Sequence, residues 1–101
     1  MMMQKLEGLP DMTISEILAE SEQICRANDV KHLYLFGSFA AGTATGTSDV
    51  DLAVKGVPDI GELQEKLEQI PTLRKIDVVD YDDCHNELLK EDIDRYGQKI
   101  Y

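Results

Sequence analysis

Basic residues are scarce in this chain: ten lysines and arginines stand against twenty aspartates and glutamates, a net charge of −10 over 101 residues. A surface of that sign repels polyanions, so unaided binding of DNA or RNA is not expected. Nucleoside triphosphates are not excluded, because a metal at an acidic site locally inverts the field. Cysteine is equally sparse. Cys25 and Cys84 form no CxxC pattern, and the opening MMMQKLEGLP lacks an apolar core of signal-peptide length, so a reduced, cytoplasmic protein is expected. No run approaches the roughly 20 apolar residues of a membrane span, and there is no internal repeat or low-complexity tract. The P-loop is missing too: Gly37 and Gly42 have its glycine separation, but Thr43-Ala44 stands where it needs Lys and then Ser or Thr. Asp49-x-Asp51 likewise fails as the start of an EF-hand, with Ala53 at the next ligand place and Val54 where that loop demands Gly.

What remains is a chain with 43% hydrophobic residues, enough for one small core. Residues 1–11 read as a loose leader and 12–101 as a single domain. Thr13-Ile14-Ser15-Glu16 has the form of a capping box, so a helix starts there, with Ile14, Ile17, Leu18, Ile24 and Cys25 on one face and Asn28-Asp29 at its end. Its Glu16, Glu20 and Glu22 are read as solvated surface. Asp59 with Glu62 marks a second helix start, whose stripe of Ile60, Leu63, Leu67 and Ile70 covers a sheet and which Pro71 ends. A third, charged helix carries Leu88, Leu89 and Ile93 between Asn86 and Tyr96, with Gly97 closing it and Tyr101 in a last short strand. Strands and helices alternate, which predicts an α/β or α+β layer built on one small mixed sheet. Cys84-His85 has no companion ligands at metal spacing and receives no role, and His32 is read as packing or surface.

The informative stretch runs from His32 to Leu52. Leu33-Tyr34-Leu35-Phe36 is a buried strand by length and composition, and it ends abruptly at Gly37-Ser38. A residue without Cβ allows a tight approach of backbone to ligand, and Ser38 adds a hydroxyl donor beside the amides of a short helix starting near Phe39, an anion site suited to a triphosphate. Ser48 to Val54 forms the next extended segment. Side chains alternate across a strand, so Asp49 and Asp51 share one face while Val50 and Leu52 take the other. Adjacent carboxylates resist ionising together unless something positive sits between them, and a hard divalent cation fits best. A third strand, Lys75-Ile76-Asp77-Val78-Val79, carries an acid within an apolar run. Asp77 is preferred over Asp80, which joins Tyr81-Asp82-Asp83 in a loop, because an acid among apolar neighbours is costly unless it has a purpose.

Gly37-Ser38, ten intervening residues and Asp49-Val50-Asp51, followed by Asp77 on a later strand, resemble the minimal members of the DNA polymerase β-like nucleotidyltransferase superfamily. The closing segment from Leu88 to Tyr101 is similar as well. The resemblance implies a palm-like nucleotidyltransferase fold and metal-dependent transfer of a nucleoside monophosphate, with ATP the expected donor and Mg²⁺ or Mn²⁺ the cofactor. It assigns Asp49, Asp51 and Asp77 to catalysis and to metal, and Gly37, Ser38, Asp49 and Asp51 to the nucleotide. Asp77 would also position the acceptor or take its proton. The acceptor is a protein or a small molecule, presented by a co-encoded helical partner of the HEPN or substrate-binding type, in an antitoxin-like pair; self-association is also open. One departure stands out: Ala41 occupies the place where the family usually carries a basic residue, with Phe39 two places earlier. An alternative therefore stays open, a nucleotide-binding regulatory subunit that has lost turnover.

Overall fold

The computed structural model describes residues 11–46 and 48–101. Thr13 opens the first helix, α1 (Ile14–Ala27), with a complete capping box: Glu16 N donates to Thr13 Oγ1 at 3.1 Å, and Thr13 N to Glu16 Oε1 at 2.8 Å. Such reciprocal caps satisfy two amides that the first turn leaves orphaned. Ile17, Ser21 and Cys25 are fully buried along one face, with Ile14, Leu18 and Ile24 packed at its margin. Ser21 is tolerated there because its hydroxyl donates to Ile17 O at 2.8 Å. Of the leader expected over 1–11, only Asp11 lies among the described residues, and its carboxylate is held by Thr72 Oγ1 (2.6 Å) and Leu73 N (3.1 Å).

The chain continues through β1 (His32–Phe36), the single turn α2 (Ser38–Ala41), β2 (Val50–Lys55), α3 (Ile60–Leu67) and β3 (Ile76–Asp80). A 3₁₀ turn (Tyr81–Asp83), α4 (Glu87–Tyr96) and β4 (Gln98–Lys99) complete it. The four strands form one mixed sheet in the order β3-β2-β1-β4, in which β1 is antiparallel to β2 and β4 while β2 and β3 run parallel. Register sets which residues share a face. Leu33 and Leu35 lie opposite Val54 and Leu52, and these four meet α1 and α3 in the main core. The reverse face holds a smaller cluster of Phe36, Ala53 and Ile93, flanked by Tyr34, Val79, Tyr81 and Leu89, under α4. Tyr81 Oη donates to Asp94 at 2.7 Å and ties α4 to the sheet. On β3, Gln64 of α3 donates to Ile76 O (2.8 Å) and accepts from Val78 N (3.0 Å).

Several boundaries differ from expectation. α3 stops at Leu67, well short of Pro71, because Glu68 already forms its C-cap, and Ile70 is buried from the turn that follows. Leu88 is 79% exposed: the arc of α4 that meets the sheet is set by Leu89 and Ile93, one position further round. Asp80 ends β3 instead of lying in a loop, and its side chain caps the 3₁₀ turn through Asp82 N. Tyr101 lies beyond β4, yet its carbonyl accepts from Leu33 N (3.0 Å) and its hydroxyl donates to Val30 O (2.9 Å). No helix among the described residues is long and apolar enough to cross a membrane.

The two thiols contrast. Cys25 has no exposed surface, and burial pushes its pKa up to about 11, whereas Cys84 is half-buried near the start of α4. The thiolate is the reactive form. Ellman's reagent is therefore expected to titrate one thiol in the folded protein and the second only after denaturation; two fast-reacting thiols in the native state would contradict the packing of α1.

Candidate active site

Asp51 stands on the sheet face that α4 covers, since it lies opposite Phe36 on β1 and beside Asp77 on β3. β2 and β3 run parallel, so these two carboxylates project from neighbouring strands to the same side. Asp49 precedes the strand, which begins at Val50. The ladder nevertheless continues one step, with Val50 N donating to Lys75 O at 2.8 Å, and this sets Asp49 beside Lys75. The alternation expected of the Asp49-Val50-Asp51-Leu52 run holds: Val50 and Leu52 are fully buried while both acids keep contact with solvent. One face is apolar as expected; the other is anionic only at this end and becomes apolar further along, at Ala53 and Val79.

The acids interact. Burial raises the pKa of Asp51, and the charges of Asp77, Asp49 and Asp92 raise it further, in that order. Asp92 was not legible as part of this group in the sequence. It belongs to α4, forty-one residues from Asp51, and its one local mark is its place beside the buried Ile93. Lys75 is the second addition: its Nζ lies 3.8 Å from Asp77 Oδ2, a contact in which both side chains stay substantially exposed.

The turn after β1 closes the site from the other side. Gly37 has φ +76 and ψ −152, a conformation essentially reserved for glycine. A β-carbon there would collide with Asp51 Oδ2. The carboxylate thus rests directly on the Gly37-Ser38 turn, although fourteen residues separate them in sequence. α2 has four residues and carries little macrodipole, so any affinity for anions rests on Ser38 Oγ and the nearby amides. Beside Asp49 opens a cleft of about 430 Å³ bordered by Asp11, Gly46, Leu73, Arg74 and Lys75. Arg74 fixes one wall by donating through Nη1 to Ser48 O (2.8 Å) and Thr45 O (3.3 Å), with its guanidinium 5.0 Å from the Phe39 ring centre. A roomier groove of about 530 Å³ lies between α1 and the end of α3, away from the acids. His85 is 92% exposed and stands apart from the cluster.

The donor set suits a hard divalent cation: carboxylate oxygens crowded enough that Asp51 holds its proton more tightly than an isolated aspartate does. Among the described residues no three His, Cys, Asp or Glu side chains, Asp49, Asp51 and Asp77 included, come together closely enough to hold a metal ion by themselves.

Comparison with known proteins identifies the family. The chain is 32% identical over 88 residues to the "Putative protein adenylyltransferase MJ1379" of Methanocaldococcus jannaschii, an alignment covering 80% of this chain and 88% of the relative. Among solved structures it is similar to a toxin-antitoxin crystallised with AMP-PNP, with a TM-score of 0.69, 26% identity and coverage of 82% of this chain and 71% of the other. It is also similar to a "putative minimal nucleotidyltransferase", with a TM-score of 0.65, 26% identity and coverage of 85% and 94%. The family model described as Polymerase beta, Nucleotidyltransferase matches residues 12–101, a span holding the Gly37-Ser38 turn and all four clustered acids, so the chain belongs to the polymerase β nucleotidyltransferase family.

Proposed function

We propose that this protein transfers AMP from ATP to a hydroxyl on a partner protein, with a divalent metal, Mg²⁺ or Mn²⁺, at the acid cluster. The observation that carries the reading is Asp51, pressed against the Gly37-Ser38 turn and surrounded by Asp49 and Asp77. The adenylyl group and the protein acceptor are supported by the name of the 32%-identical relative, and a two-component, antitoxin-like setting by the toxin-antitoxin neighbour.

In this reading Asp49 and Asp51 would hold the metal. When bound, the ion neutralises charge on the phosphates and on the departing oxygen. Ser38 Oγ and the turn amides hold the outer phosphates. Asp77 receives the proton of the acceptor hydroxyl, whose oxygen attacks the α-phosphorus in line; the Pα–O bond to the β-phosphate breaks, and pyrophosphate leaves with the electron pair. The acceptor arrives on a separate chain, a helical subunit of the HEPN or substrate-binding type. Its basic surface would complement a net charge of −10.

The test is transfer of label from [α-³²P]ATP, with Mg²⁺ or Mn²⁺, to the product of the neighbouring reading frame. Label on that protein, absent with an Asp49→Ala, Asp51→Ala double variant, is the expected result. Metal-dependent ATP binding without transfer to any acceptor favours the second reading, a regulatory subunit without turnover, for which the observation is Ala41 at the place of the family's basic residue.

A further inference from the structure

A triphosphate entering this site meets four aspartates, and Ala41 brings it no cation. Most described cations are engaged elsewhere: Arg26 with Glu22 and Tyr101, Lys66 with Glu62, Arg95 with Glu91, and Lys55 and Lys90 with the Tyr81 ring. Arg74 borders the cleft but is bound to the carbonyls of Thr45 and Ser48. Lys75 differs from all of these. It borders the cleft together with Asp49, and its side chain is 70% exposed. Its one ion pair, 3.8 Å to Asp77, is long and solvated, which makes it weak and readily exchanged.

We propose that Lys75 is a nucleotide-binding residue whose ammonium pairs with Asp77 in the free protein and moves to a triphosphate oxygen when nucleotide enters the cleft beside Asp49. The proposal rests on the nucleotidyl-transfer reading of the acid site. It gives the chain a phosphate-directed cation from the entry to β3 in place of the one absent at Ala41. It also couples two events, because the exchange that secures the phosphate strips Asp77 of its counter-ion just as the acceptor requires that carboxylate.

The experiment is calorimetric titration of MgATP into wild type, Lys75→Gln and Lys75→Arg, with melting temperatures taken without nucleotide. Loss of a charge-assisted hydrogen bond predicts that Lys75→Gln binds MgATP about tenfold or more weakly, while Lys75→Arg stays within about threefold. Melting temperatures should agree across the three, since Lys75 is exposed and makes no core contact. Equal affinity in wild type and Lys75→Gln would overturn the role of Lys75 and leave the nucleotidyl-transfer reading standing. So would a Lys75→Gln defect that Lys75→Arg shares, or one that tracks a fall in melting temperature. Failure of the wild type itself to bind MgATP would remove the nucleotidyl-transfer reading, and the role of Lys75 with it.

Discussion

Asp51→Asn is expected to abolish nucleotidyl transfer while making the nucleotide-free protein more stable. The two effects have one cause. The carboxylate is crowded by Asp77, Asp49 and Asp92 and partly withdrawn from water, so its ionised form is disfavoured in the fold, and the amide is free of that penalty. The pH dependence follows in sign. A carboxyl whose pKa is raised on folding keeps its proton in the native state to higher pH than in the unfolded chain, where aspartate titrates near 3.9. Wild type therefore loses stability as pH rises from about 3.9 through the raised native value, with the whole penalty present above it. The variant and wild type should melt alike at the acid end and diverge in favour of the variant towards neutral pH. On the proposed role of Asp51, transfer should fall by about a thousandfold, which corresponds to losing about 4 kcal/mol of transition-state stabilisation. Melting curves at several pH values, read beside label transfer, check both arms. A variant less stable than wild type at neutral pH would mean that Asp51 makes structural contacts outweighing the repulsion.

Gly37→Ala is the second large effect, and it should damage both stability and chemistry. The backbone conformation costs about 1–3 kcal/mol for a residue with a side chain. The added carbon would also displace Asp51 Oδ2. A shift of about 1 Å in a reacting group costs about a hundredfold in rate. Gly42 provides a partial control: its φ of +77 comes with a ψ of 17, the left-handed helical region and a milder strain than that of Gly37, and nothing lies within 4 Å of the position its Cβ would take. Gly42→Ala should therefore lose stability and keep most of its transfer activity. Urea melts and label transfer on the two variants compare a strained, colliding position with an unhindered one; equal loss of activity in both would show that the collision with Asp51 is not the cause.

Local features of the site were readable in the sequence because local rules generate them. The strand ending at Gly37-Ser38, the alternation that puts Asp49 and Asp51 on one side, and the caps at Thr13 and Asp59 each depend on a handful of adjacent residues. Pairing of Asp77 with Asp51 depends on the register of parallel strands, which no short window encodes; a family resemblance supplied it. Asp92 and Lys75 are illegible in the sequence for the same reason. Their importance arises from where α4 and the entry to β3 come to rest, and by themselves they read as ordinary surface charge. Leu88 shows the converse error, since helical periodicity placed Leu88 and Leu89 together on the apolar side and only packing distinguishes them.

Gln64 has a consequence beyond holding α3 in place. By occupying Ile76 O and Val78 N, it blocks the outer rim of β3, the very groups through which a foreign strand would extend the sheet. The opposite rim is formed by β4, only two residues long, with the C-terminal Tyr101 bonded onward to Leu33. Among the described residues the rim of β3 is thus partly occupied and that of β4 is short, which disfavours edge-to-edge strand addition and leaves the helices and loops as the larger docking surface.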